Sequence, residues 1–333
     1  MRSFEHLTVA SLEEALAALG GDWQTRMIAG GTDLVPLMRA RVIEPSRLVN
    51  LKGIADLYRL DFSDEGGLVV GALVSLDEIG SFPAIRQHYR LLAEAIDVAA
   101  SPQLRNVATM AGNLCQTSRC WYYRGPFFCW LKGGDRCYAE TGLNQTHAIF
   151  GDGPCHSAHP SDPAPALIAL GAELTIYSRD GSSRAIPVEQ FFALPVGERR
   201  RATILKPDEL VGEIRVPTPS EEARGVYLKA MPRETWAFSL ASVAVQGTWD
   251  GPVAREVNIV LGGVAPIPWR VVAAESVVRD QPMSGDLARD AGEAALVDAS
   301  PLQHNGYKLQ LARHLVERAL LAAASTKRQK VEV

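Results

Sequence analysis

Nowhere in its 333 residues does this chain stay apolar for the roughly 18–20 positions that a membrane-spanning helix needs. It also lacks a surplus of positive charge. Its 34 Lys and Arg face 38 Asp and Glu, a formal net charge of -4. With no concentrated basic block, neither nucleic acid nor a membrane surface is an expected partner. Internal repeats and low-complexity segments are missing too. The opening, MRSFEHLTVASLEEAL, carries charge and amphipathic spacing where a secretory signal needs a long apolar core. The expected location is therefore the cytoplasm, with the periplasm open if the chain is exported folded on a partner's signal. A charged fraction of 22% beside 47% hydrophobic residues excludes a disordered chain. The length predicts about two domains.

Cysteine is absent outside one window, and inside it there are five: Cys115, Cys120, Cys129, Cys137 and Cys155, spaced C-x4-C-x8-C-x7-C-x17-C. An odd number without a secretion signal argues against a disulfide framework, and clustered thiols in a reducing compartment point to a metal. The spacing has neither the paired C-x2-4-C knuckles of zinc ribbons nor the tandem C-x2-C of bacterial ferredoxins. It predicts a four-thiolate site and leaves the metal open.

Around this window the pattern mixes helices and strands in separate groups, which predicts an α+β fold. Ser11 and Glu14 form a capping box ahead of a helical face of Leu12, Ala15, Leu16 and Leu19. Leu34, Leu37 and Met38 repeat at helical spacing, as do residues 91–100, 164–170, 287–297 and 307–324. Strands are predicted at 26–29, 47–51, 67–76, 173–178, 184–186, 240–249 and 257–264, with a loop rich in Pro and charge at 194–224.

Three short motifs carry candidate chemistry. Ala29-Gly30-Gly31-Thr32-Asp33 is a glycine turn whose amides can form an anion nest open to a phosphate. It matches neither the G-x-G-x-x-G fingerprint nor a P-loop. Thr109-Met110-Ala111-Gly112-Asn113-Leu114 places an amide side chain among small residues, and Ser161-Asp162 precedes an apolar helix. Each alone also reads as a plain turn or cap.

Taken in order, AGGTDL, ATMAGNL, HPSDPAPALIALGAEL and LGGVAPIPWR resemble the FAD-binding medium subunit of the molybdenum hydroxylases, the xanthine dehydrogenase and carbon monoxide dehydrogenase family. The resemblance implies a two-part FAD-binding unit of the vanillyl-alcohol-oxidase (PCMH) type over residues 1–57 and 58–218. A smaller α+β C-terminal domain over 222–324 and a polar tail at 325–333 would follow. It further implies FAD contacts from Ile28, Ala29, Gly30, Gly31, Thr32, Asp33, Leu34, Thr109, Gly112, Asn113, Asp162 and Lys229. Residues 115–155 sit where most members have a short loop. They resemble the insert of bacterial aldehyde oxidoreductases and of the 4-hydroxybenzoyl-CoA reductase β subunit, which implies a 4Fe-4S cluster on Cys120, Cys129, Cys137 and Cys155, with Cys115 spare. After Lys229 the chain departs from the family's usual pattern, and Trp236 is the residue offered for stacking on the flavin ring. Gly262, Gly263, Trp269 and Arg270 are read as structural.

The implied function is electron transfer by FAD and the cluster, with no catalytic residue in this chain. A large molybdopterin subunit would act on the substrate, most simply an aldehyde, and a small 2Fe-2S subunit and an external carrier would complete the relay. The competing readings are a subunit of an aromatic CoA-thioester reductase and a stand-alone flavin reductase whose insert binds zinc.

Overall fold

The computed structural model describes residues 1–325 and is built on three sheets, an α+β arrangement as the pattern predicts. Of the expected tail, all but Ser325 lies outside the described residues. Three short parallel strands, β1 (Glu5–Thr8), β2 (Thr25–Ile28) and β3 (Arg47–Asn50), pair in the order β1-β3-β2. Parallel strands need crossovers, and the helices Leu12–Ala18 and Leu34–Arg39 supply them. At the first helix Ser11 Oγ accepts the Glu14 N–H at 3.1 Å. The Glu14 carboxylate accepts the Ala10 N–H at 2.8 Å, so the predicted box closes one residue early on its return arm.

A five-stranded antiparallel sheet follows, made of β4 (Leu60–Ser63), β5 (Gly67–Gly71), β6 (Glu173–Ser178), β7 (Ser183–Pro187) and β8 (Glu209–Val216), in the order β4-β5-β8-β6-β7. Two expectations change here. The segment 67–76 is not one strand: β5 stops at Gly71, and Ser75 with Glu78 forms a full capping box for a helix at Leu76–Ser81. The predicted loop at 194–224 contains β8, the middle strand of the sheet. Glu209 at its head is buried and held by Arg184 of β7 through bonds of 2.7 and 3.0 Å.

The third sheet, β9 (Ala223–Ala230), β10 (Ala241–Asp250), β11 (Val253–Gly262) and β12 (Trp269–Arg270), is antiparallel in the order β12-β11-β10-β9. Its alternation serves two cores. Val243, Val245, Ile259 and Leu261 join the core capped by helices Val272–Val278, Gly285–Ala294 and Tyr307–Ser325. Ala244 and Val260 point the other way, into the core shared with helices Arg90–Asp97 and Pro163–Ala169. Trp269 stacks on Phe150 at 5.2 Å, and Arg270 bonds to the buried Glu275 at 2.9 Å, so these two side chains pack and pin the end of the LGGVAPIPWR segment.

The cysteine window leaves the second core after the helix Met110–Leu114 and returns before Pro163. Its far end is stitched to the C-terminal helix. Tyr307 donates to Gln145 O at 2.9 Å, the buried Lys308 ammonium donates to Thr146 O and Gly263 O at 3.0 and 2.9 Å, and Asn305 Nδ2 donates to His147 O and Ala148 O at 3.1 and 2.9 Å.

Candidate functional site

A cleft of about 680 Å3 opens where the first two sheets meet the cysteine window. β2 delivers the chain directly into it. Residues 28–34, Thr109 and Gly112 all line its wall, so the two glycine-bearing turns predicted to contact a dinucleotide are brought together. Two glycines make this close approach possible. A Cβ at Gly30 would lie 1.9 Å from Val107 O, so only glycine lets the first turn press on the segment leading to the second. Gly31 has φ +69, and its Cβ would meet Val35 at 3.2 Å. It is therefore the backbone conformation, as much as room for a phosphate, that requires glycine at 31. Thr109 Oγ accepts Gly112 N–H at 3.3 Å and caps the short helix that carries the second turn.

Asn113, Asp162 and Lys229 do not line this cleft. Asp162 and Lys229 form a buried polar knot, and Asn113 bonds to Ser161, next to Asp162 in the chain. Lys229 Nζ donates to Asp162 Oδ2 at 2.8 Å and to Val98 O at 2.9 Å, and the Tyr227 hydroxyl donates to Asp162 Oδ1 at 2.9 Å. Burial raises the Asp162 carboxyl above its ordinary value, and the Lys229 ammonium and Tyr227 hydroxyl partly offset this. Asn113 Oδ1 accepts from Ser161 Oγ at 2.5 Å, and Ser161 Oγ accepts Ala164 N–H at 3.1 Å, so Ser161 is the side chain that caps the helix after Asp162. Trp236 is exposed, at φ +49, and is outside the cleft wall as well.

Asp33 faces the cysteine window. It accepts from Thr117 N–H at 2.9 Å, from Thr117 Oγ1 at 3.2 Å, from Arg124 Nη2 at 2.6 Å and from Arg119 Nη1. Burial alone would raise its carboxyl, but the two guanidinium groups and the Thr117 amide outweigh this and hold it below its usual value.

Four of the five cysteines, Cys120, Cys129, Cys137 and Cys155, line a second, small cavity among Tyr122, Trp130 and Tyr138. Cys115 is not one of them; it lines the cleft instead. Burial pushes the Cys120 thiol up to about 12 and the Cys155 thiol up to about 11, so in this apolar setting both are neutral at pH 7 unless a cation compensates a thiolate. Among the described residues no group of three or more His, Cys, Asp or Glu side chains could hold a metal ion. The four thiols ring a cavity rather than meet at a point. Sulfurs around one tetrahedral zinc must come within about 3.8 Å of each other, given a Zn–S distance of about 2.3 Å. A four-iron cluster is larger than a single ion and takes its thiolates further apart, which suits a ring. The two cavities adjoin: Tyr123, Leu131 and Ser157 line both.

Several residues of this region escape a local reading. Arg26 and Arg201 both line the cleft and both pack on Trp23, at 4.7 and 3.2 Å from its ring centroid. Arg26 Nε is buried without a hydrogen-bond partner. Burial, and then the neighbouring Arg26, lower Arg201 to about 10. Two guanidinium groups in one cleft, bonded to no carboxylate among the described residues, suit an anion. A hint of this lay in the run Arg199-Arg200-Arg201, but its pairing with Arg26 is a product of the fold. His159 also lines the cleft, with a buried Nε2 that has no partner, and burial lowers it to about 4, so the ring is neutral.

A cleft of this size, floored by two glycine turns and flanked by guanidiniums bonded to no carboxylate among the described residues, has the features that a dinucleotide-binding protein needs to take a pyrophosphate. Comparison with known proteins specifies it further. Residues 2–219 match the family described as FAD binding domain in molybdopterin dehydrogenase, and residues 226–323 match the CO dehydrogenase flavoprotein C-terminal domain. The aldehyde oxidoreductase FAD-binding subunit of Escherichia coli (strain K12) is 33% identical over 97% of this chain and 99% of its own. The carbon monoxide dehydrogenase medium chain of Hydrogenophaga pseudoflava is 27% identical over 96% of each. A solved carbon monoxide dehydrogenase structure from that organism superposes with a TM-score of 0.77 at 26% identity, covering 97% of both chains. The chain belongs to the FAD-binding medium subunits of the molybdenum hydroxylase family, and is thus an oxidoreductase subunit with FAD as its cofactor.

Proposed function

We propose that this chain is the FAD- and 4Fe-4S-bearing electron-transfer subunit of a heteromeric molybdenum hydroxylase that oxidises aldehydes. The observation that carries this reading is the shared wall: four thiols ring a cavity separated from the flavin cleft only by Tyr123, Leu131 and Ser157. Flavin exchanges electrons singly or in pairs, and an iron–sulfur cluster passes them singly, so two such centres one side chain apart make a relay. The protein's part is to hold and insulate them. The glycine turns, with Arg26 and Arg201, carry the pyrophosphate of the FAD. Cys120, Cys129, Cys137 and Cys155 hold the cluster, and the Ser157 hydroxyl, 3.3 Å from Cys155 Sγ, supplies a polar contact at the ligand sulfur.

In this reading a large molybdopterin subunit performs the substrate chemistry, a small 2Fe-2S subunit feeds the flavin, and an external carrier takes the electrons. The aldehyde assignment is supported by the 33% identity to the aldehyde oxidoreductase FAD-binding subunit. The test is a metal, sulfide and flavin analysis of the anaerobically purified complex, read chain by chain. One FAD with about four irons and four sulfides on this chain supports the relay. Zinc in place of iron would overturn the electron-carrying role of residues 115–155 and leave the flavin site intact.

A further inference from the structure

Asp33 sits at the N-cap position of helix Leu34–Arg39, where an aspartate ordinarily accepts backbone N–H bonds from the helix it opens. It makes no such bond. Its carboxylate is turned away from its own helix toward the segment that precedes Cys120. One oxygen takes both donors of Thr117, and the other takes Arg119 and Arg124. The same guanidiniums knit that segment together: Arg119 donates to Thr117 O and Gln116 Oε1 at 2.9 and 2.8 Å, and Arg124 donates to Ser118 O at 2.8 Å. The arginines flank Cys120 at positions 119 and 124, and the carboxylate lies two residues beyond Gly31. The 29–33 turn and Cys120 are thus tied through one largely buried, charge-assisted knot.

We infer that Asp33 is a latch that couples retention of FAD to occupation of the four-cysteine site. When thiolates are gathered on a cluster, residues 117–124 are fixed, their donors are presented to Asp33, and the 29–33 turn is held in the shape that receives the pyrophosphate. When the window is loose, the donors disperse and the turn loses its anchor. By linkage the reverse holds as well, so FAD makes the thiol site more retentive. Asp33 and its arginines are positioning residues: they reach both centres through the turn and the window. The inference rests on the cluster reading above.

The experiment is a cycle on the purified complex, with Asp33→Ala, Cys137→Ser and the double variant. The readouts are FAD affinity, by flavin fluorescence on dilution, and iron per chain. Asp33→Asn, which keeps the shape and one accepting oxygen, guards against a misfolded alanine variant and is expected to fall between wild type and Asp33→Ala. Each single variant is expected to weaken FAD binding about tenfold, within the range usual for coupled sites. The double variant is expected to be no weaker than either single one, because one path carries both effects. Asp33→Ala should also lower iron content with all four cysteines present. Losses that multiply in the double variant, or unchanged FAD affinity in Cys137→Ser beside an iron-containing wild type, would overturn the latch alone. A wild type without iron would overturn the cluster reading, and the coupling with it.

Discussion

Lys229→Met tests whether the Asp162 knot is an ion pair held for structure. The ammonium is 1% exposed and the carboxylate 6%, so water offers neither group relief. Methionine keeps most of the volume and removes the charge and two hydrogen bonds, to Asp162 Oδ2 and Val98 O. Asp162 is then left with Tyr227 alone in an apolar setting. Stripping one partner from a buried pair costs about 3–5 kcal/mol, because the remaining charge is uncompensated. At about 2 °C per kcal/mol for a chain of this size, the melting temperature should fall by roughly 6–10 °C. The sign of the pH dependence follows from the carboxyl. Asp162 already lies above its ordinary 3.8 through burial, and loss of Lys229 moves it higher still. A carboxyl raised in the folded state favours the protonated fold, so the penalty is smallest at low pH and grows as pH climbs toward the new folded value. Thermal unfolding of wild type and variant at pH 5 and pH 8 is the assay. The gap should be wider at pH 8, and adding Asp162→Asn should narrow it. An equal gap at both pH values, with no recovery in the double variant, would refute the uncompensated-charge argument.

Three further outcomes follow from the geometry. Gly30→Ala places a Cβ 1.9 Å from a backbone oxygen, so the two flavin turns must separate. FAD retention after gel filtration should drop at least about tenfold, as for other one-ångström misplacements in a binding site, and full flavin content would count against the turn. Cys137→Ser should empty the thiol site of iron while Cys115→Ser leaves it intact; loss of iron from the Cys115 variant would mean the wrong four ligands were chosen. Arg201→Ala should weaken binding of FAD and of ADP but not of riboflavin, since only the first two carry the pyrophosphate. Equal weakening of all three in a fluorescence titration would show a packing role instead.

What the sequence told depended on how local each cause was. The Ser11 cap and the long apolar face of 307–324 are both set by near neighbours, and each was legible. The Ser75–Glu78 box was equally legible, yet the unbroken apolar run GLVVGALVSL outweighed it and stretched β5 too far. β8 was hidden because a glutamate and a glycine interrupt its alternation. Glu209 is tolerated in a central strand because Arg184 meets it across β6 and the Lys206 N–H donates to it as well. The same reason concealed the Arg26–Arg201 pair. The confinement of the thiols to one window was plain from the sequence, whereas the exclusion of Cys115 came from resemblance and is matched by its place in the cleft wall. Asp33 was singled out as part of its turn, but its donors lie more than eighty residues on, where no spacing rule reaches.

The stitching of residues 145–148 to the C-terminal helix bears on how such subunits are recombined. The two family models meet between residues 219 and 226, and a chimera made at that seam looks safe. It is not, because Asn305, Tyr307 and Lys308 belong to one side of the seam and the carbonyls they hold belong to the other. A borrowed C-terminal domain with no lysine in the place of Lys308 would bring no ammonium for Thr146 O. Residues 145–147 would then lose their hold on the last helix. The piece to exchange is therefore the whole chain, or one that carries residues 145–148 together with the first turn of the last helix.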